Sequence, residues 1–532
     1  MSRRWMIAVV AVAACACASA WGASPPLVDA VKSGDREAAL RMIADGADVN
    51  AAESDGTTAL MWAAYHGDAR LVEALLRAGA DGARMNAYGA SAMLEAAAAG
   101  DAAIIRLLLD AGVSANAANP EGETALMAVA RTGNVEGARL LIEAGADVNA
   151  REQWGGQTAL MWAAAQLQPE MVAFLIRHGA DVNARGAVRD WQRRITAEGR
   201  PKDLNNGGFT PLLYAARGGC LECAKHLVEG GADLDLPDPD GVTPLILAII
   251  NFHFDVADYL IDAGADIQRW DLFGRTPLYA AVDMNTIPSP DRPGVPSYAA
   301  RGLIRKLLEL GANPNAQLKQ RRPPFRNAIL ERGADNTLTT GATPLLRAAH
   351  ASDNETIELL LAHGALVDLP NAAGLTPLMA AAGLGVSPRS NRARFKTEQM
   401  ALESVRLLLA AGADINARIN DRRRLEREPP RDLGGAVRYN SVHMPTNGQT
   451  ALHGAARKGW NDMVELLVAN GARIDAADEE GLTPYDMALA RYEPEPLDPP
   501  QSPHPETAAL LERLCQEDPA CTGLTQHVAD AG

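Results

Sequence analysis

A seven-residue stretch, TALMWAA, occurs twice in this chain, at Thr58–Ala64 and again at Thr158–Ala164. Looser copies begin at further positions along the chain, namely Ser91, Thr124, Thr210, Thr243, Thr276, Thr343, Thr376, Thr450 and Thr483. Most neighbouring copies lie 33 residues apart, one pair lies 34 apart, and the three longer gaps contain one period plus an insertion. A period near 33 residues indicates stacked helix-pair repeats, in which each unit buries its apolar face against its neighbours.

Each copy carries the signals of two short helices. In the copy that begins at Thr243, the threonine occupies an N-cap position and Pro244 the first helical position, where a missing N–H costs nothing. Many copies place a glycine at the end of this helix, as at Gly100, which suits a left-handed C-cap. A second segment with apolar residues at helical spacing follows and ends in Gly-Ala-Asp, as at Gly145. The sequence therefore predicts a helix-turn-helix in each unit.

These residues resemble the ankyrin repeat, with its pattern xGxTPLHxAAxxG followed by xxLLxxGAxxN. The resemblance covers residues 24–492 in about eleven or twelve copies, and the two Met-Trp copies are similar to bacterial members of the family. It implies an all-α solenoid of helix-turn-helix units with short β-hairpin fingers. The histidine of the TPLH motif is retained only at His453, so the hydrogen bonds that this histidine makes in the family are not expected in the other copies.

The N-terminus predicts export. Arg3 and Arg4 precede an apolar run that ends in Ala18-Ser19-Ala20, which is typical of a secretory signal peptide spanning residues 1–20. An alternative is lipidation at Cys15, because the preceding residues resemble a bacterial lipoprotein site. Either reading takes the mature chain to the periplasm if the source is bacterial, and outside the cell otherwise. Residues 493–532 predict a Pro-rich linker and a short helical tail over Thr507–Cys515.

Two cysteine pairs remain after the predicted cleavage. Cys515 and Cys521 lie close together in the tail, and an oxidising compartment favours a disulfide between them. Cys220 and Cys223 form a CxxC at the start of a second helix, where a helix N-terminus lowers a thiol pKa and could support thiol-redox chemistry. The alternative is structural, because the same positions in other copies hold a turn residue and a core residue.

Five insertions interrupt the repeats, at residues 185–208, 286–300, 318–341, 387–400 and 419–447. Four of these insertions contain more Lys and Arg residues than Asp and Glu residues; the exception is 286–300. The whole chain, in contrast, has a net charge of −16. An acidic solenoid therefore carries basic loops. Two interpretations stay open: the loops bind an anionic partner, or they form salt bridges with the acidic body.

The family resemblance also implies where a partner binds, since finger residues and the residues just after the Ala-Ala pair line the binding face of ankyrin arrays. By position, the residues after the Ala-Ala pair are Tyr65, His66, Arg131, Arg217, His350 and Arg457. The finger candidates are Trp154, Phe209, Trp270, Phe273 and Arg275. The insertions add Trp191, Arg193, Arg194, Arg321, Arg322, Arg422 and Arg423. Aromatic residues and arginine at such places are typical of binding hot spots.

The chain lacks the sequence motifs of common catalytic sites. It contains no GxSxG, no Gly-rich phosphate loop and no HExxH, so we expect no enzyme activity, cofactor or metal. The leading hypothesis is a monomeric scaffold or regulator that binds a protein partner. One alternative is an envelope protein that binds anionic lipid or polymer, and another is a thiol-redox protein that uses Cys220 and Cys223. Membrane association is expected only through lipidation at Cys15 or through binding to an anionic surface. The negative charge and exported location argue against nucleic acid.

Overall fold

The computed structural model describes residues 24–189, 206–285, 299–319, 338, 340–385, 396–420, 447–491 and 502–524. The described chain divides into two compact units. Residues 24–188 and 207–233 form the first unit, and the described residues from 234 onward belong to the second.

The first unit contains six helix pairs in its described residues. Their bounds, α1 to α12 in chain order, are Pro26–Lys32, Arg36–Ala44, Ala59–Tyr65, Ala69–Arg77, Ala92–Ala99, Ala102–Asp110, Ala125–Thr132, Val135–Glu143, Ala159–Ala165, Pro169–Arg177, Pro211–Gly218 and Leu221–Glu229. Two short strands, β1 (Val188–Arg189) and β2 (Asn206–Gly207), pair with each other on either side of an insertion.

The described part of the second unit holds the remaining helices. Their bounds, α13 to α24, are Pro244–Ile250, Phe254–Asp262, Pro277–Asn285, Arg301–Glu309, Pro344–Ala351, Asn354–Ala362, Pro377–Ala381, Glu398–Ala410, Ala451–Lys458, Asn461–Ala469, Pro484–Ala488 and Pro505–Glu517. None of the helices in the described ranges is both long and apolar enough to cross a membrane.

From α3 onward, the first helix of each pair begins where the repeated threonine or serine predicts. The Thr243 hydroxyl accepts a hydrogen bond from the Ile246 N–H at 3.3 Å, and Pro244 occupies the first helical turn. Thr58 and Thr158 cap α3 and α9 in the same way, each at 3.4 Å. The predicted C-cap is also confirmed at Gly100, whose φ of 70° is left-handed. The sequence signals for helix ends therefore act locally and recur with the period.

The core lies along the stacked first helices. In the first unit α3 packs on α5, α5 on α7, α7 on α9 and α9 on α11. The Ala-Ala pairs make this possible, because the side chains of Ala63, Ala64, Ala96 and Ala97 are fully buried between neighbouring helices. Small side chains let the helix backbones approach closely, and each helix buries its apolar surface only when its neighbour is present.

Two repeated sets of hydrogen bonds join neighbouring units. The Asn149 amide donates to the Gly179 carbonyl at 3.0 Å and accepts from the Asp181 N–H at 2.8 Å, and Asn50, Asn116 and Asn183 make the same pair of bonds. The fingers are joined by backbone bonds, such as the one from the Ala87 N–H to the Asp55 carbonyl at 2.7 Å. Both sets link one repeat to the next, so they fix the fingers to the helical stack.

The last described helix completes the final pair. In α24 the Leu511 side chain is fully buried, and the helix packs on α22 and α23 as the second helix of a repeat does. The Thr507 hydroxyl donates to Asn461 at 2.6 Å, and the His504 N–H donates to the Ala488 carbonyl at 2.7 Å. Residues that the sequence marks as a tail therefore supply the outer helix of the last unit.

Candidate functional site

The first helices of the first unit present an aromatic cluster at one end of their exposed face. Trp62 and Tyr65 on α3 meet edge to face, with ring centroids 5.7 Å apart, and His66 stacks on Trp62 at 6.0 Å. Lys32 on α1 lies 5.0 Å above the Trp62 ring and forms an ion pair of 2.8 Å with Glu53. Glu53 also accepts the Trp62 indole N–H at 3.1 Å. These five residues form what we call the Trp62 cluster, and its rings are held in fixed orientations.

The same face continues along the later helices of the unit. Arg131 on α7 lies 5.5 Å above the ring of Trp162 on α9, and Arg217 on α11 lies 5.0 Å above the ring of Tyr214. Together, Trp62, Tyr65, Glu95, Arg131, Trp162 and Arg217 define the first-helix face. The predicted residues Tyr65, His66, Arg131 and Arg217 therefore lie on one surface, since helices α3 to α11 pack in sequence order.

Glu95 on α5 is the acidic member of this face. It occupies the position of Trp62 one repeat later and is half-buried. Burial raises the pKa of the Glu95 carboxyl above its ordinary value, because the charged form loses part of its hydration. No hydrogen bond or ion pair reaches this carboxylate within the described part of the chain. Glu95 could not be predicted from the sequence, since a lone glutamate in a helix carries no signal of its surroundings.

The finger at residues 152–157 presents Trp154, which is 64% exposed. The buried carboxylate of Glu152 accepts hydrogen bonds from the N–H groups of Trp154 at 2.5 Å, Gly155 at 2.6 Å and Gln157 at 2.9 Å. Other fingers use a shorter side chain, as Asn86 does when it accepts from residues two and four positions later. The longer glutamate spans one additional residue, which explains why the spacing here is 34 rather than 33.

A second exposed finger residue is Tyr88, which is not among the residues predicted from the sequence. Its side chain is 79% exposed, the largest exposure among the large apolar and aromatic residues of the described chain. The tyrosine precedes Gly89, whose φ of 77° turns the chain at the tip of the finger. Its position in a finger was visible in the repeat register, and an aromatic residue at a turn position was the signal that could have found it.

Phe209 differs from its predicted role. The Phe209 side chain is only 7% exposed, because its ring lies edge-on against Tyr214 at 5.3 Å and under Arg217 at 5.2 Å. Phe209 therefore packs beneath the Tyr214 ring and the Arg217 guanidinium, which are both half-buried.

Arg275 also differs from its predicted role as a contact residue. It is 6% exposed and forms an ion pair with Asp271 at 2.7 Å inside its own finger. In the same finger of the second unit Trp270 is 53% exposed and Leu272 49%, while Phe273 is half-buried. Lys319 lies 3.6 Å above the Trp270 ring, so one face of this tryptophan is covered by a cation of the chain itself.

Two repeats of the second unit bury residues at positions that are partly or fully exposed in the first unit. His350 and Asp283 correspond to Tyr65 in their repeats and are fully buried, which corrects the expectation that His350 faces a partner. Arg347, at the position of Trp62, pairs with Asp283 through Nε and Oδ1 at 2.8 Å. The Asn285 amide donates to Asp353 at 2.7 Å. This buried polar cluster was not visible in the sequence, because the repeat register assigns these positions to a surface.

The remaining predicted residues are placed as follows. Arg457 on α21 is half-buried. The insertion candidates Trp191, Arg193, Arg194, Arg321, Arg322, Arg422 and Arg423 lie outside the described residues.

Both cysteine pairs are disulfide-bonded, Cys220 with Cys223 and Cys515 with Cys521. Cys220 is the N-cap residue of α12, and its sulfur accepts the Cys223 N–H at 3.2 Å. The Cys223 side chain is fully buried and Cys220 is 9% exposed. Cys220 thus takes the capping position that Asp68 holds on α4.

Models of known protein families match most of the chain. Models described as "Ankyrin repeats (3 copies)" match residues 27–119, 95–186, 193–271, 231–317 and 297–419. A model described as "Ankyrin repeats (many copies)" matches residues 440–488. The chain belongs to the ankyrin-repeat family. The ankyrin repeats account for the helix pairs, the finger hairpins and the twofold occurrence of TALMWAA.

Curated ankyrin proteins match a shorter stretch. The human ankyrin repeat and KH domain-containing protein 1 is 33% identical over 146 residues, and the Drosophila melanogaster protein mask of the same description is 30% identical over 146 residues. Each match spans 27% of this chain but only 4% and 3% of the respective relative. The crystal structure of the human ASB11 ankyrin repeat domain is 24% identical, with a TM-score of 0.37, covering 45% of this chain and 98% of that domain. Ankyrin repeats imply a protein-interaction scaffold.

Proposed function

We propose that this ankyrin-repeat chain is an exported scaffold or regulator that binds a protein partner through its first-helix face, its fingers and its basic insertions. The observation that carries the proposal is the exposure of large aromatic side chains on the first-helix face and in the fingers. Tyr65 is 60% exposed, Tyr88 79%, Trp154 64% and Trp270 53%. Exposed aromatic side chains on a rigid support supply much of the binding energy in protein interfaces, because they bury a large area at little entropic cost.

The rigidity of the support favours the same conclusion. The finger that carries Trp154 is held by three backbone N–H groups that donate to the buried Glu152 carboxylate. This finger is joined to the preceding one by the bond from the Gln153 N–H to the Glu121 carbonyl at 2.7 Å. The Trp62 cluster is fixed by an ion pair and ring stacking. A preorganised surface loses little conformational entropy when a partner binds, so more of the contact energy appears as affinity.

Export forms part of the proposal and rests on the signal pattern of residues 1–20. Mass spectrometry of the chain recovered from its native host tests it. Cleavage after Ala20 supports a signal peptide, and a lipid on Cys15 supports the lipoprotein alternative. A chain that still begins at Met1 in the cytosolic fraction would contradict export.

Site-specific photocrosslinking tests the binding face. The photoreactive residue p-benzoylphenylalanine replaces Tyr65, Tyr88, Trp154 or Trp270 one at a time, and the variants are irradiated in extract from the source cells. Leu310 and Leu366 serve as matched controls, because they are exposed apolar residues, 56% and 57%, that lie in the turns after second helices. We expect the same partner to be crosslinked from several of the four positions. Equal crosslinking from the controls, or none from the four positions, would contradict the proposal.

The contribution of the basic insertions is tested separately. A variant changes Arg193, Arg194, Arg321, Arg322, Arg422 and Arg423 to glutamate. Loss of the partner in this variant, with the aromatic face unchanged, would assign the recognition element to the insertions. Retention would place recognition on the first-helix face and the fingers.

A further inference from the structure

The first-helix face follows a pairing rule between neighbouring repeats. Lys32 lies above Trp62, thirty residues later, and Arg131 lies above Trp162, thirty-one residues later across the longer finger. In both cases the residue at the Tyr65 position of one repeat covers the residue at the Trp62 position of the next. The chain thus supplies a cation above each of its two TALMWAA tryptophans.

The same rule places Tyr65 beside Glu95, since these residues are also thirty positions apart. Helix α3 packs on α5 in the same order as α1 packs on α3. Here the pair consists of an exposed aromatic ring and a half-buried carboxylate. The cation that completes the two tryptophan sites is replaced by Tyr65, and the chain supplies no counter-charge to Glu95 within the described residues.

The neighbours of Glu95 in the repeat register have small side chains. Ala98 and Ala99, which follow on α5, are exposed and end at Cβ, and Ala128 occupies the Glu95 position on α7. The nearest cations of the same face are engaged elsewhere, since Lys32 pairs with Glu53 and Arg131 lies above the Trp162 ring. A carboxylate that loses hydration on folding is stabilised most by a cation that also hydrogen bonds to it, and an aromatic ring beside it favours the same cation.

We propose that the Tyr65 ring and the Glu95 carboxylate together receive one basic side chain, an arginine or a lysine, from the protein partner. This inference rests on the proposed function, since it states the chemistry of the partner at one point of the binding face. Charge complementarity supports it more widely, because Asp and Glu outnumber Lys and Arg along the first unit. Arginine suits the site better than lysine, since its planar guanidinium binds a carboxylate in two places and stacks on a ring.

A displayed library of random twelve-residue peptides provides the probe. The mature chain selects peptides, and the affinity of the selected sequences is measured by fluorescence anisotropy against the wild type and Glu95→Gln. We expect an arginine or lysine to be enriched at one position and the Kd to rise about tenfold or more in Glu95→Gln, because a charge-assisted hydrogen bond is lost. Glu170→Gln is the matched control, since Glu170 is an exposed glutamate on the second helix α10.

Two further variants identify the contact. Replacing the enriched arginine of the peptide by citrulline keeps its shape and removes its charge, and we expect the same loss with wild-type protein but little further loss with Glu95→Gln. Tyr65→Leu should weaken binding several-fold through the lost ring. Glu95→Gln does not threaten the fold, because it removes a half-buried charge, and its melting curve verifies this.

Three results would overturn the inference: selection of no peptide, selection without a basic residue, or equal binding by wild type and Glu95→Gln. Its failure is distinguishable from failure of the proposed function. If the partner is still crosslinked from Tyr65 and Trp154 while Glu95→Gln has no effect, the proposed binding face is supported and the binding of a basic side chain at Glu95 is contradicted. If crosslinking itself fails, the proposed function fails.

Discussion

His453 provides the sharpest test of how the repeats are held together. It is the one histidine in the TPLH position and is fully buried on α21. Its Nδ1 accepts the Thr450 N–H at 3.1 Å, so the other ring nitrogen carries the proton and donates to the Leu482 carbonyl of the next repeat at 3.2 Å. We predict that His453→Met, which copies the residue of other repeats such as Met61, destabilises the region by about 2 kcal/mol, because two buried polar groups lose their partners.

The pH dependence of the same histidine has a definite sign. Burial lowers the pKa of His453 to about 4, with Arg418 acting in the same direction, while the bond to Leu482 and the carboxylates of Asp478 and Asp486 oppose it. The pKa of His453 in the folded state lies below its unfolded value of about 6.5. The contribution of the neutral His453 to the free energy of unfolding is therefore fully present above pH 6.5 and is lost as the pH falls toward 4. The difference of about 2.5 pH units corresponds to roughly 3 kcal/mol.

Hydrogen-exchange mass spectrometry between pH 4 and 7, corrected for the intrinsic exchange rate, measures this locally. Peptides within residues 447–491 should lose protection as the pH falls in the wild type and should show a much smaller pH dependence in His453→Met. Peptides from the first unit serve as the internal control, since a repeat protein can unfold one region at a time. An equal pH dependence in wild type and variant, or full protection of the wild type at pH 4, would refute the reasoning.

Three further predictions follow from individual contacts. Glu152→Asp should increase the mobility of the finger that carries Trp154, because the shorter side chain cannot accept from the same three N–H groups. Limited proteolysis should cleave this variant within the finger and should leave the control variant Glu121→Asp uncleaved. Asn149→Asp keeps the acceptor for the Asp181 N–H but loses the donor to the Gly179 carbonyl, so urea denaturation should show a free energy of unfolding lower by about 1 kcal/mol. An unchanged free energy would show that this pair of hydrogen bonds does not stabilise the contact between repeats. Arg347→Met should cost about 3–5 kcal/mol by leaving Asp283 buried without its guanidinium, and adding Asp283→Leu should restore most of it; no restoration would show that the ion pair is not the cause.

The fold could be predicted from the sequence because its signals are local and repeated. The threonine N-caps, the glycine C-caps and the alanine pairs act within one turn of helix. Each copy therefore contains the residues that determine where its own helices begin and end, as the Thr243 cap shows. The extra residue of the 34-residue spacing was visible, but the use of Glu152 to span it was not. A glutamate before a turn has the same appearance whether its side chain points to solvent or into the loop.

The residues of the proposed binding face could be predicted only in part. Tyr65 and Trp154 lie where the family resemblance places them, because their exposure follows from the register alone. Phe209 and Arg275 do not, since their burial depends on Tyr214, Arg217 and Asp271 as specific neighbours. Burial of His350 likewise depends on the three-dimensional surroundings of the second unit. A repeat register states which face a residue is on and does not state what covers that face.

The central claim is that the first-helix face binds a protein partner at Tyr65 and Glu95. The most direct measurement is a double-mutant cycle between Glu95→Gln and the citrulline substitution in a selected peptide, measured as four Kd values. We expect each single change to weaken binding about tenfold and the double change to weaken it little further, which gives a coupling free energy of about 1.4 kcal/mol. Additive losses, or no loss from Glu95→Gln, would show that the basic side chain binds elsewhere and would contradict the claim.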